Sequence, residues 1–474
     1  MENKLKLTFY GGAGTVTGAN FMLEPLNGGV KILIDCGMLQ GSKFAADENR
    51  SAFSYDPASV SYLLVTHAHI DHIGRIPKLV HDGFNGKILS TPATRMIFKP
   101  MLEDALRIHE EESRHEGVLP FYNEQDIEKA LSLWSDIHYH ENTVLDGGFS
   151  VYAKDAGHIL GSAMFEITQT ADKHGLNTLI NADKEYRKNI KVVFTGDLGN
   201  SPSPILPDTE KITDADYLVM ESVYGDRNHE DAEEKRERLC QIIKQAIERN
   251  GTLLIPSFSL EKTQVLLNEI NFLIEGGKLP KVPVYLDSPL AIKITEIYKQ
   301  MSHDFNEKAK ASIASGDDIF NFPRLKFTAE HRESEAIAKM PAPKIIIAGA
   351  GMSTGGRIIH HEKKYLPDPK NTILFVGYQS AGSLGRMIQE GEKKVEIEGQ
   401  QIEVRAEVET ISGYSSHKDS DHLIEFVADT AESLKKVFVV MGEPKASLFL
   451  AQRLRDYIGV NAVVPGSGIS IVLD

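Results

Sequence analysis

The chain has 474 residues, with 52 basic against 67 acidic side chains, a formal charge of −15, 41% hydrophobic residues and two cysteines. This balance excludes a disordered chain, a fibrous repeat and a broadly basic protein that coats nucleic acid, but it leaves room for one positive cleft on an acidic body. No apolar run approaches the roughly 20 residues of a membrane helix, so no membrane partner is expected. The opening MENKLKLTFYGG does not read as a signal peptide, and Cys36 and Cys240 read as reduced thiols of a cytoplasmic protein.

At roughly 150 residues per domain the length suggests about three domains. Over the first 220 residues, short apolar runs end in Gly, Asp or His: LKLTFYGG, VKILIDCG, SYLLVTHAH, FSVYAKDAGH, IKVVFTGD and YLVMES. Such runs, bounded by turn residues, predict strands, several of them buried on both faces. Apolar residues three and four apart predict a helix near Arg95–Ser113, and Thr170–Asn189 reads as a polar surface excursion. From Asp226 the chain alternates strand and helix (GTLLIPSF, VPVYLDSP, KIIIAGAG, NTILFVGY), which predicts parallel strands with crossover helices. VEIEGQQIEVRAEVETISG reads as a hairpin, and a final strand, helix and strand follow. The expected class is α/β, with a central α/β domain inserted into a chain whose two ends share one domain.

The residues His67-Ala68-His69-Ile70-Asp71-His72 follow the apolar strand YLLVT. They place imidazole and carboxylate donors within one loop at a strand's end. Alternate positions on extended chain face the same way, so His67 and His69 can reach one ion, and Asp71 and His72, past the turn, a second. Two more strand ends complete a donor set: His158, between glycines in AGHILGSA, and Asp197 in FTGDLG, whose two oxygens suit a bridge. Asp35, ending VKILID, is cast as a carboxylate that orients a histidine or a metal-bound water. His109 and His115 read as solvated, and of His360–His361 only one can face a cleft. Tyr378 reads as a buried aromatic before a base-stacking one.

In this order and context HAHIDH, Asp35, His158 and Asp197 resemble the metallo-β-lactamase superfamily. The second half resembles its β-CASP branch of RNA-processing nucleases, the relatives of the mRNA 3′-end cleavage endonuclease subunit. The carriers are ESVYG from Glu221, IPSFSLEKTQVLL, LDSPLA, GAGMSTGGRIIHH, FVGYQSAGSLGR and ISGYSSHKD around His417. The resemblance implies an αββα sandwich from residues 1–225 and 410–474 around an inserted β-CASP domain at 226–409. It implies a metal-dependent ribonuclease acting on single-stranded RNA in the cleft between the domains, with one or two Zn²⁺ per chain and Mn²⁺ as the alternative metal. His67, His69, Asp71, His72, His158 and Asp197 would be ligands, Asp71 also serving catalysis. His417 would give a proton to the leaving ribose oxygen, with Glu221 holding its imidazole. Ser353, Thr354, Gly355 and Arg357 would cradle a phosphate, helped by Ser257 and by Lys262, where the family often has Arg. The assembly includes a homodimer among its options.

One position departs from the pattern. The family's last motif has a histidine before Gly-Glu that ligates the second metal; here Met441 stands before Gly442-Glu443. A thioether is a poor ligand for Zn²⁺ or Mn²⁺, so a weakened second site is expected. Two rival readings stand beside the ribonuclease: a hydrolase of the same fold acting on a small phosphodiester or ester, and a non-catalytic RNA-binding homologue.

Overall fold

The computed structural model describes residues 4–41, 45–116, 119–170, 189–229, 232–377, 379–380 and 382–474, without the side chains of 112–116 and 232. Tyr378, the side chain of His115, and 171–188 of the polar insertion lie outside the described residues. The chain divides into two compact units. The first holds Met1–Ser201, Asp208–Asn228 and His417–Asp474, and the second Pro202–Pro207 and His229–Ser416.

The first unit is an αββα sandwich. One seven-stranded sheet runs in the order Ser470–Leu473, Leu5–Gly11, Asn20–Pro25, Ile32–Ile34, Tyr62–Leu64, Lys87–Ser90 and Trp134–Asp136. The other runs Ala462–Val463, Lys436–Val439, Tyr217–Met220, Ile190–Phe194, Ala163–Gln169, Phe149–Asp155 and Asn142–Val144. The apolar residues of the two inner faces, among them Phe9, Phe21, Leu64, Phe165, Phe194 and Phe438, form one core. The outer face of the second sheet packs through Met220, Val437 and Val439 on the helices Ser420–Ala428 and Pro444–Arg453. The short runs ILI and YLL are buried throughout because each is a central strand, paired on both edges and covered on both faces.

This topology positions the chemistry. Ile32–Ile34 and Tyr62–Leu64 pair in parallel, as do Ile190–Phe194, Tyr217–Met220 and Lys436–Val439. Their carboxyl ends deliver Asp35, His67, Asp197, Glu221 and Met441 to one edge of the sandwich. His158 lies in the turn joining Phe149–Asp155 to its antiparallel partner Ala163–Gln169, at the same edge.

The second unit carries an all-parallel six-stranded sheet in the order Leu325–Phe327, Val284–Asp287, Lys344–Ala348, Thr252–Pro256, Thr372–Phe375 and Glu407–Thr410. Helix starts follow local chemistry: Ser288 accepts from Ala291 N ahead of Pro289–Gln300, with Pro at the first position. The expected hairpin forms from Lys394–Ile397 and Gln400–Glu403. Because Glu407–Thr410 pairs with Thr372–Phe375, and the following turn bonds Lys235 and Lys262 through the carbonyls of Gly413 and Tyr414, this unit reaches Ser416 rather than ending at 409. The early helix is longer than its periodicity indicates, Pro92–Glu116, and the one expected near Lys418 starts at Ser420, where Asp419 accepts from His422 N. Among the described residues no helix is long and apolar enough to cross a membrane.

Candidate metal centre

His67 lies on the extended segment past Tyr62–Leu64, His69 caps the helix Ile70–Ile73, and Asp71 and His72 sit inside that helix. His67 Nε2 is 3.1 Å from His69 Nδ1, which is 3.2 Å from His158 Nε2. Asp197 Oδ2 is 3.5 Å from His67 Nε2 and 3.6 Å from His158 Nε2. A tetrahedral ion with arms of about 2.1 Å holds its ligand atoms about 3.4 Å apart, so these four donors have the spacing of an ion's coordination shell. Burial holds the imidazoles of His67, His69 and His158 below their usual range, in the neutral form a metal needs. For Asp197 burial works upward, but the neighbouring His72 and His67 overcome it and keep the carboxyl well below the usual carboxylate range.

The loops interlock closely to achieve this. A Cβ on Gly199 would stand 1.9 Å from the carbonyl oxygen of Gly157, so only glycine lets the Asp197 loop pass beneath His158. Thr66, which the sequence reading passed over, donates its N–H and its hydroxyl to Asp35, at 2.8 Å each, and its hydroxyl is 3.0 Å from His67 Nδ1. Its only sequence signal is adjacency to the histidine cluster. Asp35 Oδ2 is 2.7 Å from His72 Nδ1, the orienting contact expected of it.

His72 and Asp71 stand apart from the four-donor set. His72 Nε2 and Asp197 Oδ1, 3.4 Å apart, are buried without a hydrogen-bond partner among the described residues. Asp71 Oδ2 is 3.9 Å from His72 Nε2, longer than any spacing quoted for the first set. Burial raises the Asp71 carboxyl, while for His72 the carboxylates of Asp197 and Asp35 outweigh burial and push the imidazole well above its usual range.

His417 and Glu221 meet beside Asp197. His417 Nδ1 is 3.1 Å from Glu221 Oε1 and 3.9 Å from Asp197 Oδ2, and its ring lies 4.6 Å from that of His158. The backbone fixes this approach: His417 bridges Gly199, Lys418 N donates to Leu198 O, and Leu198 N donates to Glu221 Oε1. Burial raises Glu221 against the opposing imidazole; Glu221 in turn raises His417 against burial. The pair therefore holds a proton more firmly than either group does in water. Tyr224, 6.1 Å from His417 between ring centroids, is a further neighbour that sequence reasoning missed.

In the second unit the residues expected to cradle phosphate are mostly committed elsewhere. Ser353 is buried and its hydroxyl donates to Glu362. Arg357 donates to Asp287 Oδ1 at 2.7 Å and to the carbonyls of Thr328 and Ala329. Both serve the frame of the loop, where the buried Asp287 and Glu362 compete with any phosphate for their donors. Ser257 is buried and donates to Phe258 O. Lys262 is buried, donates to Tyr414 O, and is lowered by burial to about 7. Thr354 is exposed, and a Cβ built on Gly355 meets nothing within 4 Å. His361 is buried with Nε2 2.7 Å from Asp287, while His360 is exposed. His109 is half-buried rather than solvated: its Nε2 is buried and its ring lies 5.1 Å from that of Phe121.

Comparison with known proteins adds an independent line. The sequence profile of the metallo-beta-lactamase superfamily matches residues 14–160, that of the Beta-Casp domain 263–388, and that of a Zn-dependent metallo-hydrolase RNA specificity domain 401–465. Ribonuclease TTHA0252 of Thermus thermophilus is 34% identical over 95% of this chain and 96% of its own length. Transcription termination factor FttA of Methanosarcina mazei is 30% identical over 94% of this chain and 68% of its own. Integrator complex subunit 11 of Gallus gallus is 29% identical over 96% and 72%. A crystal structure of a protein of unknown function from Enterococcus faecalis covers 99% of this chain at 13% identity, with a TM-score of 0.55, and shares the fold.

Proposed function

The chain belongs to the metallo-β-lactamase superfamily, in its β-CASP branch of nucleases, and from that membership we propose a cytoplasmic ribonuclease that hydrolyses phosphodiester bonds of single-stranded RNA with zinc. The observation that carries the reading is the His417–Glu221 pair standing 3.9 Å from Asp197, a proton donor beside a metal-binding carboxylate. His67, His69, His158 and Asp197 would hold the ion. When bound, it supplies a Lewis acid and a water of near-neutral pKa. Glu221 accepts Nδ1–H of His417 and fixes the ring, so that Nε2 is the nitrogen from which a proton passes to the departing ribose oxygen. Leu198 N and Val223 N hold the Glu221 carboxylate and keep it from turning with the ring. Asp35 holds His72 and Thr66 in place behind the donor set. In the second unit, Thr354 and the backbone at Gly355 are the proposed contacts to RNA phosphate.

The test is cleavage of an end-labelled single-stranded RNA by the purified chain and by His67→Ala, beside a chromogenic small phosphodiester at the same enzyme concentration. Metal-dependent RNA cleavage that His67→Ala abolishes is expected. Equal cleavage by the variant, or turnover confined to the small diester, would defeat the proposal.

A further inference from the structure

Met441 is 2% exposed, just past the strand Lys436–Val439, with a left-handed backbone at φ 47°. Its N–H donates to Gly12 O at 2.6 Å, and its carbonyl accepts from Ser222 N at 3.2 Å. Its side chain belongs to the apolar core between the two sheets, with Phe9, Phe21, Phe194 and Phe438. Gly12 makes the space, since a Cβ there would stand 2.6 Å from Met441 Sδ. The side chain is thus packed as part of the apolar core.

His72 lies across a small cavity from it, lined also by Phe21, Asp35, Phe194 and Thr195. An ion beside His72 Nε2 would find Asp197 Oδ1 at 3.4 Å and Asp71 Oδ2 at 3.9 Å from that nitrogen. Asp197 already serves the four-donor set through its other oxygen. Of the other polar groups on that wall, the Asp35 carboxylate is taken by His72 Nδ1 and Thr66 and the Thr195 hydroxyl donates to Gly196 O, which leaves the Met441 thioether, a poor exchange for water at a hard or borderline cation. The four-donor set, by contrast, closes with quoted spacings of 3.1–3.6 Å.

We propose that this chain holds one divalent ion tightly, in His67, His69, His158 and Asp197, and that the position beside His72 is not a second high-affinity site because Met441 and its apolar neighbours stand where a further donor is needed. The inference rests on the metal-dependent reading above but asks only how many ions the chain keeps.

The experiment uses the full chain, stripped of metal, reloaded with excess Zn²⁺, passed into metal-free buffer and counted by elemental analysis. About one zinc per chain is expected for the unmodified protein, and about two for Met441→His, whose left-handed backbone histidine tolerates better than most residues. Met441→Leu, which keeps the volume and removes the sulfur, should still hold about one. Two retained ions in the unmodified chain overturn the proposal. So does a Leu variant that loses its ion, or a folded Met441→His that still holds one. Should Met441→His fail to fold, the counts for the unmodified chain and the Leu variant decide alone. One ion without RNA cleavage would defeat the ribonuclease reading and leave this inference standing; two ions with cleavage would do the reverse.

Discussion

Asp35 Oδ2 lies 2.7 Å from His72 Nδ1, and the same carboxylate accepts two bonds from Thr66, so one buried side chain ties the end of its own strand to the loop bearing His67. Asp35 itself sits at φ 57°, a region that Asp and Asn enter more readily than other side chains. Asp35→Asn therefore keeps the backbone and the volume but turns one acceptor into a donor facing donors. The expected loss is about 1–3 kcal/mol of stability in urea unfolding, with the ion of the four-donor set retained. A change below a few tenths of a kcal/mol would mean that the carboxylate does not brace the loop.

Glu221 and His417 are proposed to act as a unit, and units lose activity non-additively. Glu221→Gln should lower kcat by roughly 10²–10⁴ with little change in KM, and His417→Ala by a similar factor. The double variant should be no slower than the slower single one. Multiplied losses in single-turnover cleavage would show two independent contributions.

How much of this was legible in the sequence varies with the range of the interaction. Strand ends and the strand–helix alternation of the second half are local patterns, and the fold follows them; the His67–His72 cluster is local too, and of its four donors His67 and His69 meet His158 and Asp197. Asp35 stood out for a similar reason, since a carboxylate closing a buried strand has few structural reasons to be there, and it meets His72. Thr66, Tyr224 and the Leu198 N–H act through contacts fixed only when distant loops cross, and no period or spacing announces them. The partners of the Gly351–Arg357 loop were hidden for the same reason. GMSTGGR has the composition of a phosphate cradle, but Asp287 and Glu362, which claim Arg357 and Ser353, arrive from a strand 70 residues earlier and from the helix that follows.

That competition can be measured. Asp287 is fully buried and also accepts from His361, Ser334 and Thr328, so Arg357 is one of four partners. Arg357→Ala should destabilise the chain by about 2–3 kcal/mol, below the ~3–5 of a buried pair left wholly uncompensated. Its effect on the KM for RNA in the folded fraction should stay within about threefold, since the guanidinium is spent on structure rather than on phosphate. A tenfold rise in KM at unchanged stability would restore the phosphate contact.

Glu362 gives the fold a pH dependence of definite sign. It is buried, Ser353 donates to its Oε1, and its Oε2 has no hydrogen-bond partner among the described residues. Burial pushes its carboxyl up to about 8, against about 4.5 for the unfolded chain. Between those values the folded state keeps a proton that the unfolded state has lost, so stability from this group is complete below about pH 4.5 and falls as pH rises, levelling above about pH 8. At about 1.4 kcal/mol per unit the full loss is on the order of a few kcal/mol. Glu362→Gln cannot ionise and removes the slope. The stability of the variant relative to the unmodified chain should therefore rise between pH 5 and pH 8 by on the order of 3 kcal/mol, read from urea unfolding at each pH. A difference that stays constant across that range would place the Glu362 carboxyl in the ordinary range and remove the slope assigned to it.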